Sequence, residues 1–484
     1  MIETEKKRGA LPRPVVALIP LLVLVVLVSF TVKIFGSDSL GGGSQVALLL
    51  SSSVAVGISM CLYGMPWQAF TDALKKTIGG TSEAIVILLV IGMIGGSWMI
   101  SGVVPTLICY GLQVISPDFF LICTCIICAV VSVLTGSSWS TIATIGVAFI
   151  GIGTMLGIST AWTAGAIISG AYFGDKISPL SDTTVLASST SGTDLFTHIR
   201  YMLFTTVPSF VITLVIFGIA GFLMKGSGAQ VDAGLDGLRA TFNITPWTLL
   251  VPLFTGVLIA RKAPSLITLF LSALAGIVAA LILQPGLVAQ VADGGINFSD
   301  LAKGASMILF GPTQIETGNA VLNDLVSTGG MAGMLETVWL ILCALTFGAA
   351  MASGRMLESM TGALVRHLKS TGGLVSSTVA TGIMMNLTTS DQYLSIILTA
   401  SSFKEIYRKM GYESRLLSRT TEDAVTVTSV LIPWNTCGMT QSTVLGVATV
   451  AYLPFCFFNI ISPLMTILVA SAGWKINRTD GNRL

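Results

Sequence analysis

Between Gly174 and Thr184 the chain reads Gly-Asp-Lys-Ile-Ser-Pro-Leu-Ser-Asp-Thr-Thr. Three charges, two helix breakers and four hydroxyls thus fall between segments that otherwise read as membrane helix. Charge and open backbone are costly in hydrocarbon, and are tolerated at membrane depth mainly where a segment lines a cavity or an ion path. The run therefore restricts the fold to a polytopic helical membrane protein with a broken helix at its centre. It points to a transporter.

Composition enters here only as support. Charged residues are 10% of the chain and hydrophobic residues 53%, against roughly 25% charged in a soluble domain. A net charge of +2 gives no basis for nucleic-acid binding. The 51 glycines suit close helix packing and interrupted helices. The apolar run Val15 to Phe35 is long enough to cross a bilayer and lacks a small-residue cleavage site, so it reads as a first span and not as a signal peptide. Cys123, Cys125 and Cys128 cluster in an apolar run with no histidine nearby, and read as small buried hydrophobes. No cofactor or zinc site is expected.

Apolar runs place full spans at 14–35, 45–63, 83–101, 161–190, 201–223, 246–260, 264–284, 331–353, 419–447 and 449–473. Basic residues gather at Lys6, Lys7, Arg8 and Arg13, at Lys75 and Lys76, at Arg200, at Arg261 and Lys262, and at Lys475, Arg478 and Arg483. With a cytoplasmic N-terminus every cluster falls inside, as the positive-inside rule requires. Both termini are then cytoplasmic, in a multi-pass protein of the inner (plasma) membrane. Residues 285–330 are harder to place, and 304–322 reads as an interfacial or re-entrant element.

Two apolar stretches read instead as re-entrant hairpins. In 371–403 a polar tip, Asn386 to Gln392, lies between flanks that both carry Lys and Arg, so both ends lie inside. In 118–157 the tip is Thr135 to Thr141, and its flanks carry neither, so it enters from the opposite face. Glu83 and Glu336, and Ser137 and Ser390, are 253 residues apart; Pro179 and Pro433 are 254 apart, each in a polar break. The expected fold is thus all-α, with roughly ten to twelve spans, two hairpins and two broken helices in an inverted repeat. Its parts are a tail and first span at 1–44, repeats at 45–223 and 285–473, connecting spans at 224–284, and a cytoplasmic tail at 474–484.

Hairpin tips and helix breaks expose carbonyls, hydroxyls and helix ends, which offer hard oxygen ligands to Na⁺ and helix N-termini to a carboxylate. Asp182, just after the break, is the first candidate for cation ligand or proton carrier, and Asp175 the second. A carboxylate drawn partly out of water can take either a proton or Na⁺, and competition for it gives exchange. Structural alternatives are an Asp175–Lys176 ion pair and a helix N-cap by Asp182. Ser178, Ser181 and Thr183 at the first break, Ser137, Ser138 and Thr141 at the first tip, Ser390 and Asp391 at the second, and Asn435 and Thr436 at the second break complete the candidate ion- and substrate-binding set. For Asp391 the alternative is a helix cap. Glu422 and Asp423 read as an access path or as partners of Arg419 or Arg415, and Glu83 and Glu336 as helix N-terminal charges.

The run Gly170-Ala-Tyr-Phe-Gly-Asp-Lys-Ile-Ser-Pro-Leu-Ser-Asp-Thr-Thr184 resembles the signature of the NhaC family of Na⁺/H⁺ antiporters. Thr135-Gly-Ser-Ser-Trp-Ser-Thr141 and Pro433-Trp-Asn-Thr-Cys-Gly438 resemble further motifs of that family, and the likeness spans about 45–470. It implies membership of the ion-transporter superfamily, a scaffold domain beside a mobile transport domain, elevator-like alternating access and a homodimer. Related carriers in the family exchange malate for lactate or move amino acids. The expected function is Na⁺/H⁺ antiport, with Na⁺ and H⁺ as transported ions. The alternative is Na⁺- or H⁺-coupled transport of a small organic acid or amino acid. The absence of Lys and Arg at either tip and at the second break speaks against a dicarboxylate. An intramembrane hydrolase is disfavoured because the two histidines, His198 and His367, fall at loop or interface positions and no nucleophile–base pair is evident.

Overall fold

Apolar segments in lipid must satisfy their backbone within themselves, and the chain does so by forming helices throughout. A computed structural model describes residues 11–35, 41–224, 231–261, 263–317, 320–365, 370–476 and 478. Lys6, Lys7, Arg8, Lys262, Arg366, His367, Lys369 and Arg483 lie outside the described residues. The first helices are α1 (Pro14–Phe35), α2 (Gly43–Tyr63), α3 (Trp67–Ile100) and α4 (Val103–Val114). The first hairpin follows as α5 (Phe120–Thr135) and α6 (Ser138–Met155), and the first broken helix as α7 (Thr160–Ile177) and α8 (Asp182–Ser191). Next come α9 (Leu195–Leu223), α10 (Val231–Thr241), α11 (Leu250–Ala260) and α12 (Ser265–Leu283). Short helices α13 (Pro285–Val291), α14 (Phe298–Phe310) and α15 (Ala320–Val326) fill the region that was hard to place, ahead of α16 (Leu335–Ser353) and α17 (Met356–Val365). The second hairpin is α18 (Thr371–Thr389) and α19 (Gln392–Lys409). The second broken helix is α20 (Ser414–Thr421), a π segment Glu422–Thr426 and, beyond the break, α21 (Thr436–Leu445); α22 (Thr449–Tyr452) and α23 (Phe457–Ser471) close the chain.

Eight described helices are long and apolar enough to cross a membrane, or ten if two sharply bent pairs each count as one span. The chain is a polytopic all-α membrane protein. The expected span 83–101 is part of a longer helix: α3 runs 34 residues from Trp67. No proline intervenes between Pro66 and Glu83, and Gln68 bonds Asp72 one turn on at 2.9 Å; the helix runs through the basic pair Lys75 and Lys76 and through Gly79 and Gly80. Glu83 therefore lies mid-helix and cannot be an N-terminal charge, whereas Glu336 does sit in the first turn of α16. The equivalence of the two acids fails.

The hairpin tips repeat atom for atom, with a register one residue from the serine match. Gly136 (φ 67°) and Ser390 (φ 59°) hold the left-handed position at each tip. The following residue caps the second limb: the Ser137 hydroxyl accepts from the Ser140 N–H, and the Asp391 carboxylate from the Leu394 N–H. The Thr135 hydroxyl donates to the Ser137 carbonyl at 3.2 Å, and the Thr389 hydroxyl to that of Asp391 at 3.0 Å. Each pair lies 254 residues apart, as do the break prolines, the caps Ser181 and Asn435, and the closing glycines Gly192 and Gly446. The counterpart of Ser137 is Asp391, not Ser390. Identity matching failed because the left-handed position costs glycine nothing but is occupied by a strained serine in the second copy.

Within the first copy, α5 packs on α7 more extensively than any other described pair of elements. A Cβ at Gly170 would stand 2.1 Å from the Cys125 carbonyl oxygen, and one at Gly174 2.3 Å from that of Ala129. Glycines four apart let the two backbones meet, as small residues do between membrane helices. Cys125 and Cys128 are buried in this contact.

Candidate ion-binding site

At the first break α7 stops where Pro179 approaches, since a proline lacks the N–H to continue the ladder. The chain restarts at α8, whose N-cap is Ser181, its hydroxyl accepting the Thr184 N–H. Asp182 is thus the first residue of α8 and not its cap, and its side chain is exposed. Ser178 turns inward and donates to the Val133 carbonyl at 2.8 Å, tying the break to the first hairpin. A Cβ at Gly136 would lie 2.6 Å from that of Leu180, so tip and break are in direct contact.

That contact forms one wall of a cavity of about 720 Å³. Asp175, Asp182 and Thr183 line it together with Thr135, Gly136, Ser137 and Ser140 of the tip. Asp175 is buried, and the Ser138 hydroxyl donates to its Oδ2 at 2.7 Å. Ser181 and Thr183 share a hydroxyl hydrogen bond at 3.0 Å, and Thr141 meets Thr135 at 3.1 Å. Gly80, Glu83, Ala84 and Ile87 of α3 also line it, while Gln392 and Tyr393 come from the second hairpin. No described Lys or Arg lines this cavity.

The second tip and break meet each other instead. The Thr436 N–H donates to the Ser390 carbonyl at 2.9 Å, and the Asn435 amide donates to the Asn386 carbonyl at 3.1 Å. Asn435 also caps α21. Asp391 is a cap for α19, with the Thr81 hydroxyl of α3 at 3.5 Å from its other oxygen. Ser390, Asp391, Asn435 and Thr436 are buried and do not line the cavity.

The alternative reading of Asp175, an ion pair with Lys176, does not hold. Successive residues on a helix point about 100° apart, and the two side chains leave in different directions. Lys176 pairs with Asp423 of the π segment and donates to the Ser462 hydroxyl of α23 at 2.9 Å. The Thr205 hydroxyl of α9 donates to Asp423 at 2.8 Å, and the Arg419 Nε lies 3.9 Å from the same carboxylate. Lys176, Arg419 and Asp423 are all fully buried. Arg419 also lies over the Tyr201 ring, 4.7 Å from its centroid. Arg415 pairs with Glu413 and not with Asp423, and lies over the same Tyr201 ring at 5.0 Å.

Two acids were missed as members of the site. Glu422 is buried, and its Oε1 accepts from the Thr183 hydroxyl at 3.3 Å, so it is one hydroxyl removed from the cavity. The available signal was a Glu-Asp pair within a run of small and hydroxyl residues, Thr420 to Ser429. Glu83 faces the cavity itself, and its signal was a single acid at the edge of an apolar stretch, with no proline nearby to start a helix there. His198 is also corrected: it is buried on α9, with its Nδ1 2.9 Å from the Ser418 hydroxyl.

The sequence profile of the Na⁺/H⁺ antiporter family matches residues 10–191 and 170–474. The chain belongs to that family. Among its relatives, the Na⁺/H⁺ antiporter NhaC of Alkalihalophilus pseudofirmus is 42% identical over 412 residues, spanning 85% of this chain and 86% of that one. The malate-2H⁺/Na⁺-lactate antiporter of Bacillus subtilis is 36% identical over 442 residues, 90% of this chain and 91% of the relative. The Na⁺/H⁺ antiporter NhaC of Bacillus subtilis is 36% identical over 424 residues, 87% and 91%. In this member of the antiporter family, the two matched stretches overlap at 170–191, which holds the first break and α8.

Proposed function

We propose that this protein exchanges Na⁺ for H⁺ across the inner membrane, and that the two ions compete at the first break. The observation that carries this reading is the placement of Asp175 and Asp182 in one cavity with hydroxyls of the tip and the break, with no described basic side chain to neutralise them. Carboxylates so placed are stable when an ion or a proton accompanies them, so loading one cargo displaces the other. Asp182 is the principal Na⁺ ligand and proton acceptor; Asp175, oriented by Ser138, is its companion. The repeats at 45–223 and 285–473 alternate access to this site, both termini are cytoplasmic, and the protein works as a homodimer in the lipid bilayer.

A second reading draws on the size of the cavity. About 720 Å³ is within the range of small-molecule sites and far larger than a bare ion needs. Coupled transport of a small organic acid or amino acid therefore stands as the alternative, with the lack of a described lining Lys or Arg disfavouring a dicarboxylate.

Reconstitution in proteoliposomes with a lumenal pH dye decides between them. A Na⁺ gradient alone is expected to move protons; a requirement for an organic solute would refute the first reading. Asp182→Asn is expected to abolish Na⁺-driven proton movement while the protein remains folded. Wild-type turnover in that variant would remove Asp182 from the mechanism.

A further inference from the structure

Glu83 lies halfway along α3, on the same face as Gly80, Ala84 and Ile87, and all four line the cavity that holds Asp175 and Asp182. Its neighbours on that face are small or apolar. An alanine would pack there as well, so helix packing gives no reason for an acid. The side chain is exposed to the cavity and forms no hydrogen bond or ion pair among the described residues. An ionisable side chain that lines an ion path with no partner among the described residues has a functional reading by default.

We propose that Glu83 is a steering carboxylate on the α3 side of the cavity, which draws monovalent cations from the cytoplasm toward Asp182. The inference rests on the Na⁺ site assigned above. Asp182 belongs to the broken helix and Glu83 to the long helix α3, so an incoming cation meets carboxylates carried by two different elements of one cavity. Ala263, Pro264 and Ser265 line the same cavity directly after Arg261, which marks the cytoplasmic side under the positive-inside rule. Opening toward the cytoplasm is therefore the geometry in which this acid meets incoming Na⁺. A cleft of one charge sign with low-dielectric walls focuses its field and raises the local concentration of counter-ions, an effect that salt suppresses. Glu83 is a positioning residue for the cation and holds no structural contact that its loss would break.

The test is equilibrium binding of ²²Na⁺ to the purified full-length protein at low ionic strength and again with added choline chloride. For Glu83→Gln the Kd for Na⁺ is expected to rise about three- to tenfold at low ionic strength, from the loss of one charge on the wall of the same cavity. The gap to the wild type should close as choline chloride is raised, and Glu83→Asp should stay close to the wild type. An unchanged Kd in Glu83→Gln overturns the inference, and so does a shift that persists at high salt, since a purely structural role is not screened. Wild-type protein that binds no Na⁺ overturns it as well. Wild type that binds Na⁺ but moves no protons refutes the antiport reading alone, and the Glu83 comparison still stands.

Discussion

The buried pair Lys176–Asp423 allows a prediction with an internal control. Asp423 holds four partners: Lys176, the Thr205 hydroxyl at 2.8 Å, the Ser462 hydroxyl at 3.4 Å and the Arg419 guanidinium at 3.9 Å. Among the described residues Lys176 pairs with Asp423, donates to the Ser462 hydroxyl at 2.9 Å and lies 5.6 Å from the Phe458 ring. Removing one partner of a buried pair leaves an uncompensated charge, at a cost of about 3–5 kcal/mol. Asp423→Asn strands two cations, Lys176 and Arg419, and should reach that range. Lys176→Met strands a carboxylate that keeps two hydroxyl hydrogen bonds, each bond to a charge contributing about 1.5–3 kcal/mol, and the nearby positive charge of Arg419. Its cost should be smaller, about 1–3 kcal/mol. The double variant should cost well below the sum of the two, because the Lys176 and Asp423 charges are removed together and only Arg419 stays stranded. Unfolding in mixed micelles titrated with sodium dodecyl sulfate, run on all four proteins, supplies the cycle. Equal losses for the two single variants, or a double variant equal to their sum, would refute the assigned partners.

Two further outcomes test the framework around the site. Gly174→Ala pushes a methyl group to 2.3 Å from the Ala129 carbonyl oxygen, so α5 and α7 must separate; a loss of about 1–3 kcal/mol is expected, and an unchanged melting temperature in detergent would contradict the close contact. Ser181→Ala removes the α8 cap and the hydroxyl that meets Thr183, and should cost about 1 kcal/mol and slow exchange, as read by melting and by the lumenal dye. Glycine at 181 should restore most of the stability without restoring the rate.

The interrupted helix was legible because two local facts sufficed: a proline ends a helix, and charges in an apolar segment need a polar surround. The tips were legible for the same reason, as hydroxyl-rich turns between apolar limbs. The register of the repeat was not, because Gly136 and Ser390 share a backbone conformation and not a side chain. The long α3 was obscured by Lys75 and Lys76, which read as a loop beside the membrane although basic residues extend a helix well.

Sequence by itself determined the class of molecule, the two breaks, the two tips and the family signature, since each depends on residues close together along the chain. Only the tertiary structure decided which charges meet. Asp175 and Lys176 are neighbours in sequence, yet one bonds Ser138 beside the cavity and the other pairs with Asp423 across 247 residues. Glu83 came from another wall of the cavity, and the four candidates of the second tip and break were left out of it. Ion pairs and cavities form between side chains on different elements, and their partners are fixed by how the helices pack, which no local pattern encodes.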